Sequence, residues 1–353
     1  MTTTLLPGIA ARTVETDRLT SNVLYRTDYA PGFRPVVFIH GNVSSALFWQ
    51  PLMLSLPPEI DAYAIDLRGF GDSQTAPIDA ARGLSDFSDD LAEVVAALGV
   101  ERPHLVGWSM GGGVVLQYAL DHPVASMTLI SPVSPYGFGG TALDGSLLTP
   151  DAAGTGGGGA NPDFVARLRS GDRSSDSPTS PRNVYLGAYV KPGFTSEHDE
   201  LWVTSLLSTK TGEDNYPGDL VPSDNWPGFA PGDRGVLNTM APTHLNLSGI
   251  VDLDPKPPIL WIHGADDVIV SDTSLFDLNY LGQLGVVPGW PGVEVAPPQP
   301  MIAQTRAVFD AYAVNGGSYQ EITVPDCGHS AHLEHPDVVR SALLELVGSD
   351  KRG

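Results

Sequence analysis

The chain has 353 residues, 41 of them acidic against 19 basic, for a formal net charge of −22. That balance excludes nucleic acid and anionic membranes as main partners, because both demand clustered Lys and Arg. The length suffices for a sizeable core without metal or disulfide staples, and the single cysteine, Cys327, excludes an intrachain disulfide. Residues 1–17 lack the basic start and apolar run of a signal peptide, so a cytoplasmic location is expected.

In chain order, 35–40 (PVVFIH) reads as a buried strand, apolar throughout as strands covered on both faces are. A second strand is expected at 62–66, then a helix at 87–98 with apolar residues at helical spacing. A strand at 104–107, a helix at 114–120 and a strand at 127–130 follow. This alternation predicts an α/β fold with a mostly parallel sheet flanked by helices. The pattern breaks at 133–256, which is rich in Gly, Pro and Ser, and a stretch that long predicts an inserted cap subdomain. Within it, 152–180 has few apolar anchors and is expected to open at low cost. The alternation resumes with strands at 258–263 and 319–324 and helices at 301–314 and 337–347. The core therefore spans 1–132 and 257–353, with an extra Gly/Pro-rich insertion at 272–300.

Gly107-Trp108-Ser109-Met110-Gly111 is the one G-x-S-x-G run, and it lies between a predicted strand and a predicted helix. A sharp strand-to-helix turn needs glycines two residues either side of its apex, where chain approaches chain. It presents the Ser109 hydroxyl as a nucleophile at a helix N-terminus. Of nine histidines, His329 follows the last strand on a loop at the sheet edge where the Ser109 strand also ends, which suits a base. The acid that orients it is expected after the preceding strand, where Asp266 and Asp267 both stand.

Other features have plainer readings. Gly154–Gly159 matches G-x-G-x-x-G but follows no strand and opens no helix, so a flexible link is expected there. His332, Glu334 and His335 resemble a metal cluster without a metalloprotease pattern, so capping or surface roles are expected and no metal is invoked. Cys327 reads as a small hydrophobe, and Asp66-Leu67-Arg68 as an ion pair or turn. Trp108, Trp202 and Trp226 are candidates for a substrate pocket, the last two because a cap often lines its site with aromatics.

His40-Gly-Asn42, Asp66-Leu-Arg-Gly-Phe-Gly-Asp-Ser73, Gly107–Gly111, Gly264-Ala-Asp-Asp267 and Gly328-His329, in that order, resemble the successive signatures of the α/β-hydrolase superfamily. The resemblance covers about 1–132 and 257–350. It implies Ser109 as nucleophile, His329 as base and Asp267 as orienting acid. It also implies an oxyanion hole from the Met110 N–H and one of Asn42 or Val43. Residues 40–49 are similar to haloalkane dehalogenases, whose nucleophile is an aspartate, so that activity is disfavoured here. The expectation is a cofactor-free serine hydrolase of a bulky, hydrophobic carboxylic ester or lactone, with a small molecule as its partner and the oligomeric state open. The same triad would also serve a C–C bond hydrolase or a perhydrolase, and a non-catalytic binding protein is the third reading.

Overall fold

The computed structural model describes residues 4–28 and 34–349. Eight strands form one sheet: β1 (Ile9–Glu15), β2 (Thr20–Arg26), β3 (Arg34–Ile39), β4 (Ile60–Ile65), β5 (His104–Trp108), β6 (Ser126–Ile130), β7 (Ile259–Gly264) and β8 (Tyr319–Val324). Their order is β1-β2-β4-β3-β5-β6-β7-β8. Pairing is parallel from β4 to β8 across the sheet, and β2 runs antiparallel to both of its neighbours. The predicted mostly parallel sheet is present, with two strands more than the sequence pattern marked. β1 and β2 carry no continuous apolar run, because β1 is an edge strand with most of its residues exposed.

The centre of the sheet holds the apolar strands. Every residue of β5 and β6 is buried, as are Val36 to Ile39 of β3. Helices α1 (Ser85–Ala97) and α2 (Met110–Asp121) cover it, and α2 buries nine of its residues. Between β6 and β7, residues 131–258 carry short helices, among them α3 (Pro162–Ser170) and α4 (Asp199–Leu207), and two-stranded ribbons at 211–217 and 220–231. Phe164, Tyr185, Trp202 and Leu206 of this region join the same continuous buried cluster as the sheet core.

Two expectations about this region are corrected. The first part of the run 152–180 is anchored, since Ala152, Phe164, Val165 and Leu168 are buried, whereas 169–179 holds no buried residue. Gly156–Gly159 forms a helical turn rather than a loose link, and side chains at Gly157 and Gly158 would meet the backbone at Gly218–Asp219 and the Phe229 ring.

The loop after β4 is pinned by buried polar groups. Arg68 forms a two-pronged ion pair with Asp90 of α1, at 2.6 and 2.7 Å, so the Asp66-Leu67-Arg68 segment does make an ion pair. The Asp66 carboxylate accepts from Ala46 N (2.7 Å), Asn22 Nδ2 (2.8 Å) and Asp72 N (3.0 Å). Burial nevertheless pushes its pKa up to about 6. A raised carboxyl pKa means that the native state holds a proton which the unfolded chain has lost. The stabilisation is complete below the unfolded value and disappears as pH rises through about 6. Asp66→Asn removes that dependence together with two acceptor sites. Its melting temperature relative to wild type is therefore expected to be lowest below about pH 4 and to recover by pH 7.5, the deficit shrinking by about 1.4 kcal/mol per unit of pH between the unfolded value and about 6. A deficit independent of pH would contradict the buried-charge account.

Candidate active site

The turn between β5 and α2 is made by close packing. A side chain on Gly107 would collide with the Gly111 carbonyl, and one on Gly111 with the carbonyls of Ile39 and His40. With both Cβ atoms absent, the chain reverses at Ser109, which is held at φ +57°, ψ −123°. That conformation is costly for a residue with a side chain and persists only where the surroundings enforce it. Here Ser109 N donates to Ile130 O (2.9 Å), and Ser109 O accepts from Gly112 N and Val133 N. Helix α2 starts at Met110, so its N–H is one of the first-turn donors that the helix cannot use.

Across from Ser109, a side chain on Gly41 would lie 2.8 Å from the Ser109 Cβ, which places the loop after β3 directly against the turn. Val43 in that loop has φ +46°. His40 fixes the loop from beneath: its Nδ1 lies 2.7 Å from Gly41 O, and its Nε2 accepts from Leu67 N at 3.0 Å. Full burial pushes the His40 pKa down to about 4, so the ring is neutral near pH 7.

The loops after β7 and β8 bring Asp267 and His329 together. His329 Nδ1 lies 2.7 Å from Asp267 Oδ2, and both side chains are 1% exposed. The other Asp267 oxygen accepts from Ile269 N and Val270 N at 2.8 and 3.0 Å. Of the two aspartates left open by the sequence pattern, Asp267 meets the histidine, whereas Asp266 is half-exposed and pairs with Lys191. With Nδ1 engaged, Nε2 is the ring nitrogen left to exchange a proton.

Ser109, His329, Asn42 and Val43 line one cavity of about 390 Å³, within the usual range for small-molecule sites. Its walls are mainly apolar. They come from the region between β6 and β7 (Phe138, Phe164, Tyr189) and from the 272–300 insertion (Leu275, Phe276, Leu281). Neither Lys nor Arg is among the described lining residues. The insertion is therefore part of the site, a role that its Gly/Pro-rich composition did not signal. Buried Gln299 joins it to the loop after β6, donating to Thr141 Oγ1 (2.9 Å) and Gln304 Oε1 (2.7 Å). A wider depression of about 730 Å³, bordered by Tyr136, Leu143 and Ala311, holds none of these polar groups.

The three tryptophans expected in the pocket are not on its wall. Trp108 is fully buried behind the site, stacked on Phe48 and donating from Nε1 to His329 O at 2.9 Å. Trp202 packs on the far side of Phe48. Trp226 clasps the two irregular regions, donating to Pro288 O at 2.9 Å. Tyr189, which carried no motif, lines the cavity and donates its hydroxyl to Asn42 O at 2.9 Å.

The remaining candidates separate. His332 lies between the rings of Trp49 and Trp108, Glu334 accepts from Lys191 N and Gly328 N, and His335 bonds to Asp326 O. Cys327 is buried beside Glu334, and both effects push its thiol pKa up. A thiol-directed maleimide at pH 8 is expected to leave the native protein unmodified and to react once it is denatured. Rapid labelling of folded protein would overturn the inert-thiol reading.

The comparisons with known proteins bear on the fold and the family. Residues 36–342 match the model of the Alpha/beta hydrolase family. The dihydrolipoyllysine-residue acetyltransferase component of the acetoin cleaving system of Cupriavidus necator is 40% identical over 119 residues, which are 32% of this chain and 30% of that protein. A pimeloyl-acyl-carrier-protein methyl ester esterase of Aeromonas hydrophila is 37% identical over 100 residues, 28% of this chain and 37% of its own. The matches thus span about a third of these relatives' length. The crystal structure of carboxylesterase CesB (YbfK) from Bacillus subtilis superposes with a TM-score of 0.56 at 17% identity, covering 96% of this chain and 91% of that one. Among the described residues, no helix is long and apolar enough to cross a membrane. With the family model spanning the six strands from β3 to β8, the strained Ser109 turn and both loops that carry Asp267 and His329, the chain belongs to the alpha/beta hydrolase family.

Proposed function

We propose that the protein is a serine hydrolase of uncharged, bulky carboxylic esters or lactones, working through an acyl-enzyme. The observation that carries this reading is the convergence of Ser109, held at positive φ, and the Asp267-bound His329 on one largely apolar cavity. His329 Nε2 takes the Ser109 proton while Oγ attacks the substrate carbonyl carbon. The resulting oxyanion sits against the Met110 N–H and an N–H from Asn42 or Val43, each donor lowering the barrier by on the order of 3 kcal/mol. His329 then returns the proton to the leaving alkoxide. Water, activated by the same base, cleaves the acyl-enzyme. Asp267 holds the Nδ1–H tautomer and stabilises the imidazolium as it forms.

The apolar wall and its lack of Lys and Arg favour an uncharged acyl group over an anionic one, since nothing there would compensate a desolvated carboxylate. Residues 133–256 act in this reading as the cap that closes the cavity. Asp267→Asn is expected to lower kcat by about 10³- to 10⁴-fold, as loss of the orienting acid does in triad hydrolases, whereas Asp266→Asn stays close to wild type. Steady-state kinetics on matched ester and lactone series check this. Equal losses in the two variants, or a higher kcat/KM for short acetates and anionic esters than for bulky neutral ones, would contradict the proposal.

A further inference from the structure

One short piece of the region between β6 and β7 touches the loops after β3, β7 and β8, which border the Ser109 turn. Tyr189 reaches the loop after β3 through Asn42 O. Two residues on, Lys191 places Nζ 2.9 Å from Asp266 Oδ2 and in direct contact with the Asp326 carboxylate. Asp266 adjoins Asp267, and Asp326 stands three residues before His329. The Lys191 N–H donates to Glu334 Oε2 at 2.8 Å, and the same carboxylate accepts from Gly328 N, next to His329, at 3.1 Å. The packing is close: a side chain on Gly328 would lie 2.6 Å from Lys191 N.

We propose that Lys191 is a positioning residue for the hydrolysis: by neutralising Asp266 and Asp326 together, it holds the acid loop against the base loop at the spacing of the Asp267–His329 hydrogen bond. The inference rests on the catalytic reading of those two residues. Both carboxylates bond to one ammonium, so they lie close to each other, and without the cation they repel over a few ångströms. The loops are also tied by the backbone bonds Ala265 N to Val324 O and Asp266 N to Cys327 O, each 2.9 Å. Lys191 adds a side-chain tie at the same level, between the carboxylates beside Asp267 and before His329. Asp326 is itself held at φ +56°, a conformation that Asp and Asn tolerate better than other residues with side chains. An exposed ion pair of this kind adds little to stability, but a catalytic hydrogen bond misplaced by about 1 Å costs on the order of a hundredfold in rate.

The test combines ester turnover with the far-downfield proton resonance of the His329 Nδ1–H, which reports the hydrogen bond without requiring turnover. In folded Lys191→Met the resonance is expected to broaden or vanish. Its kcat is expected to fall by about tenfold or more, with KM little changed. Lys191→Arg should restore both. So should Lys191→Met combined with Asp266→Asn and Asp326→Asn, because the repulsion is then gone. If Lys191→Met does not fold, Lys191→Gln serves in its place. Wild-type resonance and kcat in the folded Lys191 variant, or no recovery in the triple variant, would overturn the proposal. A wild type that is silent toward esters yet shows the resonance would count against the ester reading, and the resonance in the variants would still decide the role of Lys191.

Discussion

Between Trp108 and Met110 the chain passes from the central strand into a helix within three residues, and it does so because two Cβ atoms are absent. Any side chain at Gly107 or Gly111 would drive into backbone carbonyls of the same turn or of the neighbouring strand end. The tight contact forces Ser109 to positive φ and leaves the first N–H groups of α2 unused beside it. The rest of the site is arranged around that point. The loop after β3 is pressed against Ser109 at Gly41, and the loops after β7 and β8 leave the same sheet edge in register, with Gly264 opposite Val324.

A fixed turn would be of little use if its neighbours could move, and here they are held by buried polar groups with their partners made. His40 is neutral and engaged at both ring nitrogens, Asp66 accepts three hydrogen bonds, and Arg68 grips Asp90. Gln299 ties the 272–300 insertion to the loop after β6. Such networks rigidify the scaffold and specify one arrangement, even where burial still disfavours a charge, as at Asp66. The cavity wall, by contrast, is mainly apolar, so a molecule bound there would be desolvated against Ser109 and His329 while the polar scaffold stays behind them.

The sheet and the three principal side chains were legible because each leaves a local mark. Buried parallel strands read as apolar runs, and the turn at Ser109 needs glycine at fixed offsets. The choice between Asp266 and Asp267 came from the resemblance to a family and not from spacing. What escaped has no local mark. β1 is an edge strand, and β2 beside it mixes apolar with polar residues, so neither carries an apolar run. Tyr189, Lys191 and the leucines of the 272–300 insertion reach the site only through tertiary packing of irregular segments. The tryptophans misled for a related reason, since bulk and apolarity do not say which side of a cavity wall a ring takes. Trp108 and Trp202 sandwich Phe48 behind the site rather than facing the cavity.

The central claim is that Ser109 is an activated nucleophile. Intact-mass analysis after exposure to a fluorophosphonate, on wild type and on Ser109→Ala, tests it most directly. The account predicts a single adduct on the wild type and none on the variant. An adduct that survives in Ser109→Ala, or a folded wild type that takes up none, would contradict it.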